Sequence, residues 1–297
     1  MMEMIIPEIY TRFYCKAGDC QHSCCKESWE IDVDADTADY YFQVTGELGK
    51  LLKENIGQNK EGYHIKENSA GKCPFLRKDG LCRLVAELGE DSLCDICALH
   101  PRFYEVMADK DLELGGVGLC CERTCELLLE NKEPLQFCFD EAEDRLFTFE
   151  ELLEKLGIIL KKEELRFKPN IEKEYVQWVL SCLGKTEPLD DQWTTHIMDL
   201  QNRVDEVRAK LTSATSTAPW ALFDKIYQYI LYRQLEKSAK VSARVLVVYA
   251  HLNTEFVLLD SLITGDLPEA LRRWSGQIEY DTDNVDMLLG ISHDHGI

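Results

Sequence analysis

The sequence predicts a mainly α fold in two parts: a cysteine-rich metal-binding domain with short strands and loops over residues 1–138, and an all-helical domain over residues 139–297. Hydrophobic cores stop growing at about 250–300 residues, so a chain of 297 residues favours two domains. Eleven of the thirteen cysteines lie between Cys15 and Cys125. Beyond Phe149, apolar side chains recur at helical spacing.

The first elements of the cysteine-rich part are a short strand and a helix. Trp29, Ile31 and Val33 alternate with acidic residues, a pattern typical of an extended strand. Asp36 can cap the helix that follows, and Gly57 stands where its C-terminal cap would be. The apolar stripe of this predicted helix consists of Tyr41, Val44, Leu48, Leu51 and Leu52.

From Cys73 to Cys125 the chain is interrupted by glycines and prolines, which predicts loops with few apolar anchors. Bound metal would brace such a segment. The glycine-rich stretch at 112–118 superficially resembles a nucleotide-binding turn. It follows a charged segment rather than a buried strand, so we interpret it as a loop or hairpin.

The C-terminal part is predicted to be a series of amphipathic helices. One stripe runs from Phe149 to Ile159, and a longer one from Trp193 to Leu211. Pro219 suits the first turn of another helix. Three more helices are predicted. One has apolar positions from Val241 to Leu259, and two shorter ones are marked by Asp266 with Pro268 and by Thr282 with Gly290.

The formal net charge of −21 is divided almost evenly between the two parts, and neither part is basic. A nucleic-acid-binding protein needs a cationic surface to displace counterions, so we expect no nucleic-acid partner. An acidic surface favours a partner that presents lysines. The longest apolar segment, Val245 to Leu259, is interrupted by His251, Asn253 and Glu255. Together with the absence of a signal-like N-terminus, this leads us to expect a cytoplasmic protein without a membrane span.

The strongest motif is Cys15-x4-Cys20-x3-Cys24-Cys25. Thiolates a few residues apart can converge on one ion or cluster, whereas adjacent cysteines usually point in different directions. Eleven clustered cysteines would suffice for two four-thiolate sites, of zinc or of iron–sulfur type. Cys138 and Cys182 are interpreted as buried apolar residues, and His100 as a surface loop residue.

Several of these motifs together resemble the flagellin lysine-N-methylase family. They include Arg12-Phe13-x-Cys15, the Cys20 to Asp34 segment, Cys73-Pro-Phe-Leu, Leu81-Cys82-Arg83, Cys97-x3-Pro101-Arg102 and Leu119-Cys120-x-Glu122. Tyr232-Arg233 and the segment from Trp274 to Asn284 resemble C-terminal parts of the same family. The N-terminal motifs are also similar to a broader group of zinc- or iron-chelating cysteine domains.

The resemblance implies methyl transfer from S-adenosylmethionine to lysine side chains of flagellin, with participation of an iron–sulfur cluster, most plausibly 4Fe-4S. Glu279 and Tyr280 are the candidate catalytic residues, and Trp29 and Arg102 are the candidate cofactor-binding residues. The candidate metal ligands are Cys15, Cys20, Cys24, Cys25, Cys73, Cys82, Cys97 and Cys120. The alternative is a non-catalytic zinc- or iron-binding protein for metal storage, sensing or delivery.

Overall fold

A computed structural model describes residues 2–26, 31–130, 132–215 and 220–295. The protein is 57% helical with 12% strand, which confirms the mainly α prediction. Its strands are β1 (Glu3–Pro7), β2 (Ile31–Val33), β3 (Ile56–Gln58), β4 (Tyr63–Ile65), β5 (Arg102–Met107), β6 (Leu112–Val117), β7 (Gln136–Phe139) and β8 (Phe147–Thr148).

The described helices of the N-terminal half are short, and those of the C-terminal half are longer. They are α1 (Glu8–Thr11), α2 (Ala35–Gln43), α3 (Gly46–Asn55), α4 (Arg83–Leu88), α5 (Asp95–Leu99), α6 (Glu122–Leu129), α7 (Phe149–Lys155), α8 (Lys173–Leu183), α9 (Asp191–Asn202), α10 (Val204–Ala214), α11 (Trp220–Arg233), α12 (Ala243–Thr264), α13 (Leu267–Ile278) and α14 (Thr282–His295).

The chain divides into two compact units, and the division does not follow the predicted boundary at residues 138 and 139. The cysteine unit consists of Tyr14–Phe103 and Cys121–Arg123. The sheet–helix unit consists of Met1–Phe13, Tyr104–Cys120 and Thr124–Ile297. The N-terminal strand joins the second unit because its backbone pairs with strands far along the chain.

In the cysteine unit, β2, β4 and β3 form an antiparallel sheet in that order. The predicted strand at Ile31–Val33 is therefore confirmed, while Trp29 lies outside the described residues. The predicted helix is two helices, because the chain leaves helical geometry at Val44 and re-enters it at Gly46, whose φ is 77°. Asp34, rather than Asp36, caps α2 by accepting from Thr37 N at 2.8 Å.

Gly57 lies inside β3 and is not a helix cap. A Cβ at this position would stand 2.4 Å from Nε2 of His64, the residue opposite it on β4, so a larger residue would force the His64 ring to move. The core behind this sheet is centred on Tyr41, which is fully buried and donates its hydroxyl to Ser92 O at 2.7 Å. Cys94 belongs to this core, and Cys73, Cys82 and Cys97 pack against it.

The sheet–helix unit contains a five-stranded sheet with the strand order β5-β6-β1-β7-β8. β1 runs parallel to β6 and antiparallel to β7. The all-helical prediction for residues 139–297 is therefore wrong in one respect, since β8 lies in that range and pairs with β7. The glycine-rich segment forms β6 and follows β5 in a hairpin, which agrees with our interpretation. Gly115 allows β1 to approach, because a Cβ there would stand 2.8 Å from Met4 Sδ.

Helix α12 is the centre of the helical part, with contacts to α8, α10, α11, α13 and α14. Among the described residues, α12 is the one helix that is long and apolar enough to cross a membrane by length and composition alone. Of its most apolar stretch, 72% is buried within the protein. The buried core helix of a globular protein has the same length and apolar composition. The predicted stripe from Trp193 to Leu211 is divided at Arg203 into α9 and α10. Asp266 caps α13 by accepting from Glu269 N at 3.0 Å, and Pro219 lies outside the described residues.

Candidate functional site

Nine cysteines belong to the cysteine unit, and the thiols of several of them hydrogen-bond to one another. Cys25 is the most connected of them, since the side chains of Cys24 and Cys73 both hydrogen-bond to it. The backbone strengthens one of these contacts, because Cys73 N donates to Cys25 O at 3.2 Å. Two thiol donors stabilise a thiolate, so they lower the pKa of Cys25, while the same bonds and burial raise the pKa of Cys24 and Cys73.

A second pair of thiols lies at the start of α5. Cys94 is the residue before the helix, and its side chain hydrogen-bonds to Cys97, which lowers the pKa of Cys94 and raises that of Cys97. Asp34 holds α5 in place by accepting from Asp95 N at 3.1 Å through Oδ2. The field of Cys25 also raises the pKa of Cys97, so the two pairs belong to one neighbourhood.

The N-terminal loop brings another group of thiols together. Burial raises the pKa of Cys20 to about 11, and the nearby Glu122, Cys121 and Cys15 act in the same direction. Glu122 ties this loop to Cys121, because its carboxylate accepts from Lys16 Nζ at 2.6 Å and from His22 N at 2.9 Å. The two contacts fix residues that are about a hundred positions apart in the sequence.

His100 is partly buried, although the sequence analysis interpreted it as a surface residue. Burial lowers its pKa to about 4, and the nearby Cys25 opposes this effect only in part. The imidazole is therefore neutral at physiological pH and retains the lone pair that a metal ligand needs.

The chemistry of this donor set fits an iron–sulfur cluster or zinc, because both bind thiolates and the donors here are clustered, partly buried thiols. Over residues 2–26, 31–130, 132–215 and 220–295, no three His, Cys, Asp or Glu side chains are arranged to hold one metal ion. Sulfur contacts sulfur instead. The metal site therefore stays a prediction, supported by the composition of the cluster.

Cys120, another predicted ligand, lies in the sheet–helix unit. Its thiol hydrogen-bonds to the side chain of Tyr280. Burial and this thiol hold the pKa of Tyr280 well above its usual value of 10.0. Tyr280 is 43% exposed as a residue, and the guanidinium carbon of Arg233 lies 5.1 Å from the centre of its ring. Tyr280 is thus a partly exposed residue whose ring lies against a buried cation.

Glu279, the second predicted catalytic residue, lies beneath this surface and its side chain is fully buried. Ser275, one turn earlier, donates to Glu279 Oε2 at 2.5 Å. Glu279 Oε1 lies 3.6 Å from Arg233 Nε, and Arg233 Nη2 donates to the Glu279 carbonyl at 3.5 Å. Burial raises the pKa of the Glu279 carboxyl, and the charge of Arg233 opposes that rise. The carboxylate therefore holds the guanidinium under Tyr280.

The remaining predicted residues are distributed as follows. Arg102 falls within the range of the cysteine unit, is the first residue of β5 and is partly exposed. Cys125, Cys138 and Cys182 are buried among apolar residues, which confirms the interpretation of the last two. The sequence analysis missed Tyr249, a fully buried residue whose hydroxyl has no hydrogen-bond partner in the described part of the chain. Its position in an apolar helical stripe is typical of a core residue, so no sequence signal distinguishes it.

Three curated proteins are similar to this chain over part of its length. A Lysine-N-methylase of Salmonella typhimurium is 30% identical over 138 residues, which cover 43% of this chain and 33% of that protein. The chain resembles the lysine-N-methylases. The Lysine-N-methylase of Salmonella choleraesuis is 29% identical over the same share of both chains. The Flagellar biosynthetic protein FliU of Salmonella muenchen is 28% identical over 135 residues, 78% of its length.

The match to the two lysine-N-methylases thus spans about a third of their length. No family model matches the chain. No solved structure matches it either. The resemblance predicted from the cysteine motifs is confirmed by these relatives.

Proposed function

We propose that this chain transfers methyl groups from S-adenosylmethionine to lysine side chains of a flagellar protein, in the cytoplasm and with an iron–sulfur cluster in its cysteine unit. The similarity to the Lysine-N-methylase of Salmonella typhimurium carries this proposal. The name of the third relative, a flagellar biosynthetic protein, supports a flagellar substrate. The thiol cluster supports the metal part, since no other described feature accounts for nine cysteines in one unit.

Methylation of lysine requires a neutral amine. With a reference pKa of about 10.4, only about one lysine in a thousand is neutral near physiological pH. Removal of the side chain from water lowers its pKa, because desolvation penalises the ammonium form. A site for this reaction therefore needs an apolar approach and a polar atom that orients the free amine in line with the methyl donor.

The surface around Tyr280 offers such an atom. Tyr280 is 43% exposed as a residue, and in this proposal its phenol is the group that orients the incoming lysine. Glu279 is enclosed, so in this arrangement it acts as a positioning residue that fixes Arg233 beneath the ring. The guanidinium also disfavours a second cation nearby, which favours the neutral amine. The role of Glu279 is thus indirect, and that of Tyr280 is direct.

Bound S-adenosylmethionine would supply an electrophilic methyl group, and the thiolates of the cysteine unit would hold the iron–sulfur cluster. The contacts of Trp29 and Arg102 with the methyl donor remain predictions. The acidic chain, with its charge of −21, would attract a lysine-rich protein surface.

The test is methyl transfer by protein purified without oxygen. Flagellin from the same organism is incubated with S-adenosylmethionine that carries a labelled methyl group, and labelled lysines are located by peptide mass spectrometry. Tyr280→Phe should lower kcat by about tenfold to a hundredfold, because it removes one orienting hydrogen bond. Glu279→Gln should lower kcat by a smaller factor than Tyr280→Phe does. It should also broaden the pH profile of methyl transfer, because Arg233 loses the carboxylate that holds it beneath the Tyr280 ring.

Tyr40→Phe is the matched control, since Tyr40 is 44% exposed, as Tyr280 is, and lies in the other unit. It should retain full activity. If metal-loaded protein methylates neither flagellin nor generic lysine-rich proteins, the proposal is wrong. The non-catalytic metal-binding protein then becomes the better interpretation.

A further inference from the structure

A groove lies at the end of α7 in the sheet–helix unit. It has a volume of about 390 Å³, and its lining is apolar apart from two acidic side chains. Ile159 lies at this groove and is 92% exposed, the highest value among the large apolar side chains of the described residues. The sequence predicted a helical stripe as far as Ile159, but α7 ends at Lys155. Ile159 therefore does not contribute to the core of this unit.

A helix cap forms the first wall of the groove. Gly157 has a φ of 65°, and its N–H donates to Glu154 O at 3.0 Å. Ile158 N donates to Leu153 O at 2.9 Å. These two bonds are those of a Schellman motif, which ends a helix at a residue in the left-handed region. The chain therefore leaves helical geometry at Gly157, and both Leu153 and Ile158 line the groove.

The opposite wall includes Leu165 and is anchored to α11. Gln228, a residue of that helix, donates through Nε2 to Leu165 O at 3.0 Å. The start of α7 is fixed as well, because Thr148 and Glu151 cap it reciprocally. Both walls are thus held in place by hydrogen bonds within the chain. A preformed groove needs less ordering when it binds a ligand.

The two acids of the groove are Glu150 and Glu154, which lie one turn apart on α7 and are exposed. Like charges at this spacing repel each other. In the part of the chain that the structure describes, no ion pair neutralises either carboxylate. Lys155 is next to them in the sequence, but its Nζ lies 5.0 Å from the ring centre of Phe147 and it does not line the groove. A cation from a partner would relieve this repulsion.

We infer that the groove binds a segment of a partner protein in which a lysine stands beside an apolar side chain. The aliphatic part of a lysine packs on apolar surface while its ammonium reaches a polar rim. Glu150 and Glu154 can pair with that ammonium, while the apolar neighbour covers Ile159. Lys161 and Lys162 follow the groove in the sequence but do not line it.

Charge decides between this occupant and two others. The net charge of −21 repels a second copy of the same chain, and it also repels a membrane surface that contains anionic lipids. The inference rests on the proposed function only for the identity of the partner, since a protein that is methylated on lysine must present lysines. The test measures binding alone, so a failure of methyl transfer leaves the inference standing.

The probe is a labelled synthetic peptide of lysine, leucine and serine, and fluorescence anisotropy follows its binding to the whole chain. Glu150→Gln with Glu154→Gln should weaken binding by about tenfold, because two ion pairs are lost. This double variant should also reduce the salt dependence of binding. Ile159→Ser should weaken binding by about tenfold through lost apolar contact, and it should leave the salt dependence unchanged.

The matched control is Glu143→Gln with Glu174→Gln, which removes the same charge from two exposed positions outside the groove. Its affinity should stay within about twofold of wild type, because distant exposed charges are screened. Hydrogen exchange of the wild type needs no substitution, and amides of residues 150–160 should become protected when the peptide is bound.

Four results would overturn the inference. The first is equal weakening of binding in the control and in the groove variant. The second is protection by the peptide outside residues 150–160 only. The third is equally tight binding of a peptide in which serine replaces every lysine, which would indicate a purely apolar partner. The fourth is dimerisation of the chain that Ile159→Ser abolishes, since a second copy would then be the occupant.

Discussion

Glu255 is a buried acid in the middle of α12, and its contribution to the free energy of unfolding should depend strongly on pH. The side chain is fully enclosed, Oε2 accepts from Asn170 N at 3.1 Å, and Oε1 has no hydrogen-bond partner among the described residues. Burial raises its pKa from 4.5 to about 8, and the bond from Asn170 opposes that rise. The folded protein therefore holds the proton more tightly than the unfolded chain does.

A raised carboxyl pKa makes the folded state lose stability as pH rises from about 4.5 to about 8, because the unfolded state releases its proton first. One pKa unit corresponds to about 1.4 kcal/mol. Between pH 5 and pH 9 the group should therefore destabilise the wild type by about 4 kcal/mol. Glu255→Gln has nearly the same shape and does not titrate, so it should remove this loss.

The assay is denaturant unfolding at pH 5, 7 and 9, with reductant present and tryptophan fluorescence as the signal. Four of the five tryptophans lie in the sheet–helix unit, so the signal reports on the unit that contains Glu255. The free energy of unfolding of Glu255→Gln should be close to that of wild type at pH 5 and higher at pH 9. Glu174→Gln, an exposed position on α8, is the control and should show no such difference. Equal differences at both pH values would refute the assignment of a raised pKa to Glu255.

Three other predictions concern the core and the surface. Tyr232→Phe should lower the free energy of unfolding by about 1–3 kcal/mol, because the hydroxyl lies 2.8 Å from the carbonyl oxygens of both Ile5 and Gly115. Thermal unfolding measures this loss, with the exposed Tyr40→Phe as the control. Cys182→Ala should leave the metal content unchanged and lower the free energy of unfolding by about 1 kcal/mol through lost apolar burial, since Cys182 is buried on α8; loss of metal would contradict the interpretation of Cys182 as a core residue. The methylation rate on a lysine-rich substrate should fall as salt rises, because attraction is screened over about 8 Å at physiological ionic strength; a rate independent of salt would remove charge from substrate recognition.

Local patterns predicted the parts of this fold that local forces stabilise. The apolar stripes of α7, α11 and α12 could be predicted from the sequence, because helical hydrogen bonds connect residues four positions apart. The positions at which one helix ends and the next begins were harder to predict from the sequence. The division at Arg203 and the break before Gly46 interrupt stripes whose apolar spacing continues without a gap.

The sequence predicted which residue types make up the candidate site, but not which of them contact one another. Cysteine spacing indicated a thiol cluster, and the structure supports it by placing Cys25 between Cys24 and Cys73. The same spacing could not show that Cys120 faces Tyr280, since these residues are 160 positions apart in the sequence. The sequence could indicate Glu279 as a candidate residue, but it could not show that the Glu279 side chain is buried beneath the ring of Tyr280.

The sequence by itself determined the helical class, the acidic character and the concentration of thiols in one segment. Only the tertiary structure decided that β1 pairs with β6 and β7, and that this pairing carries the N-terminus into the sheet–helix unit. Likewise, only the structure joined Glu122 to the loop around Lys16 and His22. The physical reason is the same in each case. These bonds join residues separated by a hundred positions or more, and their free energy depends on the rest of the fold having already brought the partners together.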